Sequence, residues 1–150
     1  MTHSAETEIS YLVFRYAEYI DAGDFAAMAE LFREGAVVGP DGVETWGYEA
    51  VLALYEQAAI IYPDTGTPGT QHVTTNLIVE VDDAADRAHA RSYFTVFQAR
   101  PDFPLQPIIC GSYRDEFRRA GGRWMFIRRA IFPRLDGDLS RHLRVDLPSA

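Results

Sequence analysis

Apolar residues at the start of the chain recur at three- and four-residue steps. Ile9, Leu12, Val13, Tyr16 and Ile20 form one stripe of an amphipathic helix that Gly23 stops. Asp24 is a good N-cap for a second, shorter helix with Phe25, Met28, Leu31 and Phe32 inward, ended by Gly35. A small hairpin follows, AVV and VET around the turn Gly-Pro-Asp-Gly. A third helix starts near Gly47 and buries Val51, Leu52, Leu54, Tyr55, Ala58 and Ile61. PDTGTPG, residues 63–69, is a loop.

From Thr70 onward the period changes to two. Four long strands are predicted, about 70–81, 87–99, 107–119 and 123–133, separated by Asp82-Asp83, Pro-Asp-Phe-Pro and Gly121-Gly122. Connections this short make neighbouring strands antiparallel. Helices followed by a long meander make an α+β fold, a single domain over 1–150 with 134–150 as a tail. On the last strand Trp124, Phe126, Ala130 and Phe132 share one face, while Met125, Ile127 and Ile131 share the other. Both faces are apolar and the helices cover only one, so a partner subunit is expected on the outer sheet face, in a homo-oligomer.

In TQHVTTNLIVEV, residues 70–81, strict alternation assigns Gln71, Val73, Thr75, Leu77, Val79 and Val81 to one face. His72, Thr74, Asn76, Ile78 and Glu80 fall on the other. The second face meets water or lines something polar inside the protein. Asp21 bears on the choice. It sits near the C-terminal end of the first helix, where the macrodipole disfavours a carboxylate. It is either a solvated, frayed turn or a carboxylate aimed into a cavity and paired with an imidazole. An Asp–His pair fixes the ring's tautomer and stabilises its protonated form, so that it works as general base or acid. Arg128 and Arg129 interrupt the last strand, one on each face, and a guanidinium there snorkels to an edge or holds an anion in a pocket. Tyr16, Trp46, Tyr55, Phe94 and Tyr113 are core aromatics or pocket walls.

Composition narrows the functional classes. The 150 residues suffice for one domain with a proper core, and 47% hydrophobic with 24% charged residues is ordinary for a soluble protein. A net charge of −8 argues against nucleic acid and anionic membranes as partners. No apolar run approaches the roughly 18 residues of a membrane span and no signal segment is visible, so a cytoplasmic location is expected. The lone Cys110 excludes an internal disulfide and reads as a small buried apolar residue. The four histidines, His3, His72, His89 and His142, lack metal-ligand spacing. There is no Gly-x-Ser-x-Gly elbow and no phosphate loop.

YAEYIDAGDFAAMAELF, TQHVTTNLIVEV, ARSYFTVFQ and GSYRDEFRRAGGRWMFIRR, in this order of elements, resemble the SnoaL-like branch of the nuclear-transport-factor-2-like superfamily. The resemblance runs from about Glu6 to Phe132. It implies a cone-shaped curved antiparallel sheet wrapped around the three N-terminal helices and enclosing a pocket. Within the branch the sequence is most similar to scytalone dehydratase, bile-acid 7-alpha dehydratase and hexachlorocyclohexane dehydrochlorinase, cofactor-free lyases built on an Asp–His dyad. Asp21 in YIDAGDF and His72 in TQHVTTN match the dyad, with Thr75, Asn76 and Leu77 matching the dehydrochlorinase pattern. Tyr16 and Arg129 match a pocket tyrosine and a last-strand arginine. Ile20 and the SYF of residues 92–94 depart from scytalone dehydratase, which argues against scytalone as substrate. The expected catalytic residues are thus Asp21 and His72, with Tyr16, Trp46, Asn76, Phe94, Tyr113 and Arg129 around a small hydrophobic, cyclic substrate. No metal or organic cofactor is implied, and dimers and trimers both occur among similar proteins. The same branch holds polyketide cyclases, ketosteroid isomerase relatives and the non-catalytic small subunits of ring-hydroxylating dioxygenases, so a ligand-binding or scaffold role is the alternative.

Overall fold

The computed structural model describes residues 2–147. Helix α1 spans Ala5–Asp21, with Ser4 as N-cap accepting from the Thr7 N–H. Its end is a Schellman motif: Asp24 N–H donates to Tyr19 O at 2.8 Å and Gly23 N–H to Ile20 O at 2.9 Å. Gly23 has φ +74°, and a Cβ there would meet the Gly66 carbonyl oxygen at 2.1 Å, so glycine is required twice over. The motif turns the chain directly into α2, Phe25–Glu30, capped by Asp24. The strands β1, Ala36–Val38, and β2, Glu44–Trp46, make the small hairpin. Helix α3 spans Gly47–Ala58.

The long strands are β3, Thr70–Asp82; β4, Arg87–Arg100; β5, Phe103–Ala120; and β6, Arg123–Asp136. With β1 and β2 they form one six-stranded sheet in the order β2-β1-β6-β5-β4-β3. The meander is antiparallel, but β1 lies parallel to β6, so the sheet is mixed, and it is open, with β2 and β3 at its edges. The core lies between the sheet's inner face and the helices. Ile9, Val13, Met28, Phe32, Phe117 and Phe126 are fully buried there. The tail leaves β6 at Gly137 and returns over α3's end, where Ile60 N–H donates to His142 O and Arg144 N–H to Ala58 O, both at 2.8 Å. Residues Pro148–Ala150 of the expected tail lie outside the described residues.

Two bulges overturn the strict alternation. In β3, Asn76 and Leu77 together face the single residue Ser92 between the Thr75–Tyr93 and Ile78–Arg91 pairs. Asn76 takes a left-handed φ of 53°, which asparagine tolerates better than most residues. The inner face therefore reads Thr70, His72 and Thr74 up to the bulge and Leu77, Val79 and Val81 beyond it. The histidine and the apolar series share a side after all. In β6, Ile127 is the extra residue, between the Phe126–Phe117 and Arg128–Glu116 pairs. Beyond it the phase flips. Arg129 and Ile131 turn inward, while Phe132, expected beside Trp124, is outside and 48% exposed.

Candidate active site

The sheet order leaves β3 with a partner on one side only, so alternate N–H groups along its free edge lack a strand to bond. Asp21, the last residue of α1, meets this edge. Its Oδ2 accepts the His72 backbone N–H at 2.7 Å. Its Oδ1 accepts the Thr70 hydroxyl at 2.8 Å and the His72 Nδ1 at 2.6 Å. A carboxylate only accepts, so Nδ1 carries a proton and, in the neutral ring, Nε2 holds the lone pair. The dipole penalty at the helix end is thus offset by three donors rather than by solvent. The His72 side chain is 8% exposed.

His72 lines a cavity of about 270 Å³ between the helices and the inner sheet face. Phe94, Tyr113, Ile109 and Ile131 form the sheet wall; Tyr16, Ile20 and Tyr55 form the helix wall; Leu139, His142 and Leu143 of the tail lie over it. Phe94 stacks on Tyr113 with centroids 4.5 Å apart. Gly111 makes room for this ring, because a Cβ there would lie 2.9 Å from Phe94 Cζ and 2.2 Å from the Phe132 carbonyl oxygen. The Tyr16 and Tyr55 hydroxyls share a 2.5 Å hydrogen bond across the helix wall. Burial raises both phenols above their ordinary range, and Tyr113 likewise, so each presents a neutral hydroxyl.

Arg129 stands one layer behind this wall. It is fully buried and does not line the cavity, contrary to the expectation that it would bind substrate. Its Nε and Nη2 each donate to Asp115 at 2.8 Å, and its Cζ lies 3.8 Å from the Tyr113 ring centroid and 4.3 Å from that of Tyr16. Burial alone would lower Arg129, but the Asp115 charge and hydrogen bonds outweigh it and hold the guanidinium protonated. Burial pushes Asp115 above its ordinary range against the lowering by Arg129, and two bonds from a permanent cation favour the ionic pair.

Two further expected residues lie elsewhere. Trp46 is 54% exposed on the edge strand β2, where its Nε1 donates to Glu44. Asn76 is exposed because the bulge swings it out of the inner face. Tyr16, Phe94 and Tyr113 are at the cavity. Sequence reasoning missed Asp115 and His142. Asp115 carried a readable signal, a lone acid between Tyr113 and Phe117 on a strand's apolar phase. His142 carried none in a mixed tail. Among the described residues no group of three or more His, Cys, Asp or Glu side chains could hold a metal ion, and no helix is long and apolar enough to cross a membrane.

A six-stranded open sheet packed on three helices, with an Asp–His pair on a cavity between the layers, defines a pocket-bearing α+β domain. The model of the SnoaL-like domain matches residues 1–130, and the chain belongs to that family. No curated protein matches the sequence significantly. Among solved structures the chain is similar to an NTF2-like protein with a cystatin-like fold from Novosphingobium aromaticivorans, at 26% identity and a TM-score of 0.72 over 90% of this chain and 84% of that one. It shares its fold with a putative scytalone dehydratase from the same organism, at 21% identity and a TM-score of 0.68 over 88% and 85% of the two chains. LinA shares it too, at 19% identity and a TM-score of 0.68 over 87% and 86%.

Proposed function

We propose that the chain is a cofactor-free lyase, isomerase or cyclase in which His72 removes a proton from a small hydrophobic, cyclic substrate held in the cavity. The carrying observation is the 2.6 Å Asp21–His72 contact at a mostly apolar cavity that His72 lines, in which the neutral ring offers Nε2 as base. Nε2 takes a proton from carbon next to a carbonyl, and the electron pair moves toward the carbonyl oxygen. The Tyr16–Tyr55 hydroxyl pair is the donor available to that oxygen. Asp21 balances the imidazolium. In a dehydration the same imidazolium returns its proton to the departing hydroxyl as the double bond forms. General-base help of this kind is worth about 10²–10⁴-fold.

The test is exchange of the C2 protons of 1-tetralone in D₂O, followed by NMR. Wild type is expected to catalyse the exchange. His72→Ala should abolish it, and Asp21→Asn should slow it about 10²–10⁴-fold. Exchange that persists in His72→Ala, or none in wild type, overturns the proposal and favours the non-catalytic binding or scaffold role.

The outer sheet face belongs to the same proposal, as the contact of a homo-oligomer. Tyr93, Ser112 and Phe132 form one cross-strand row there, and Glu80, His89, Glu116 and Arg128 another. Exposed Ile78, Tyr93 and Phe132 beside charges of both signs suit a second copy of the chain. Light scattering should give a dimer or trimer, and Phe132→Glu should give monomer. A monomeric wild type sinks this part.

A further inference from the structure

A second imidazole faces the same cavity. His142 lies in the tail turn, and its backbone is pinned on both sides: Ile60 N–H donates to its carbonyl, and Tyr62 Oη and Gln98 Nε2 donate to Arg141 O at 2.5 and 2.8 Å. The fold therefore sets where the ring stands. His142 is 8% exposed, and neither ring nitrogen has a hydrogen-bond partner among the described residues; Nδ1 is wholly buried. Burial, followed by the proximity of His72, pushes it down to about 4, so the ring is neutral at physiological pH. A neutral imidazole offers one N–H and one lone pair. Its cavity neighbours Leu139, Leu143 and Ala59 can satisfy neither with a side chain. A buried polar group left so costs about 1–3 kcal/mol, which a complementary ligand recovers.

We propose that His142 is a ligand-binding residue that hydrogen-bonds a hydroxyl of the molecule in the cavity, so that the ligand is an apolar ring compound carrying a hydroxyl besides the group that reacts at His72. Nδ1 has no accessible surface, so Nε2 is the nitrogen open to a ligand, and a hydroxyl is the fitting class because it both donates and accepts and so matches Nε2 in either tautomer. A carboxylate is disfavoured, since the ring carries no charge to meet it. The proposal deepens the function given above, and rests on that reading for the assignment of the cavity as the substrate site.

Binding of 1-tetralone is to be compared with that of its 5-, 6- and 7-hydroxy derivatives by titration calorimetry. At least one derivative should bind wild type about tenfold more tightly than the parent. His142→Leu should reduce that ratio to near one. His142→Gln, which keeps a donor and an acceptor, should restore part of it. In wild type with ¹⁵N-labelled histidine, the preferred derivative should shift the His142 ring nitrogens and 1-tetralone should not, a readout that survives if a variant misfolds. Equal binding of all four compounds, or an unchanged ratio in His142→Leu, overturns the proposal. A wild type that shows no exchange yet retains a His142-dependent preference rejects the catalytic reading and not this one.

Discussion

Replacing Asp115 by leucine removes the only acid bonded to Arg129 among the described residues. Both partners are 0% exposed, and two 2.8 Å bonds join them. Arg129 Nη1 already lacks a hydrogen-bond partner, so Asp115→Leu leaves a buried cation held by aromatic faces alone. Breaking such a pair costs about 3–5 kcal/mol, a large part of the roughly 5–15 kcal/mol by which domains are stable. For a domain of this size 1 kcal/mol moves Tm by about 2–4 °C, so a fall of roughly 6–20 °C is expected. Removing both charges, Asp115→Leu with Arg129→Met, ends the burial of unpaired charge. It still loses the cation–π contacts to Tyr113 and Tyr16, about 0.5–2 kcal/mol each. The double variant should therefore recover part of the loss. The assay is a double-mutant cycle by urea unfolding with thermal melts of all four proteins. A loss under about 1 kcal/mol in Asp115→Leu, or a double variant no more stable than the single, refutes the account.

His142 gives a pH test. Its folded pKa of about 4 lies below the ordinary 6.5, so the unfolded chain binds the extra proton between them. Stability from this group is then full above pH 6.5 and falls by roughly 3 kcal/mol as pH drops toward 4, a slope that His142→Leu should flatten in melts across that window. Gly23→Ala, forced into φ +74° and against the Gly66 oxygen, should lower stability by about 2 kcal/mol or more, read by urea unfolding. At exposed Asn76, glycine should be neutral or stabilising within about 1 kcal/mol, whereas valine should cost about 1–2 kcal/mol, because only valine strains a φ of 53°. Equal melting temperatures for the two Asn76 variants would remove the bulge from the explanation of the His72 face.

The elements were legible because each carries a clean period. The stripe from Ile9 to Ile20 has room for nothing but a helix, and α1 ends where Gly23 demands. The long strands were found to within a few residues for the same reason, β5 excepted at its start, where Phe103 rather than Pro107 begins the pairing. Faces were less legible than elements. One inserted residue reverses every side chain beyond it, and neither Asn76 nor Ile127 announces itself as the insertion. Trp46 and Asn76 were assigned to the site for that sort of reason: type and spacing were visible, direction was not. The Asp21–His72 contact was legible because a carboxylate at a helix C-terminus is locally unfavourable and needs a cause. The layer of Asp115 and Arg129 behind Tyr113 depends on register between strands, which no single strand encodes.

Asp21 holds an imidazole and, through Oδ2, also a backbone N–H on the open margin of the sheet. Those two duties are under separate selection. A relative with no chemistry at the imidazole would still be penalised for losing the acid, because Oδ2 would no longer hold the margin beside α1. The imidazole has no such protection. Among relatives of this chain the aspartate should therefore outlive the histidine, and copies that keep the first without the second are expected.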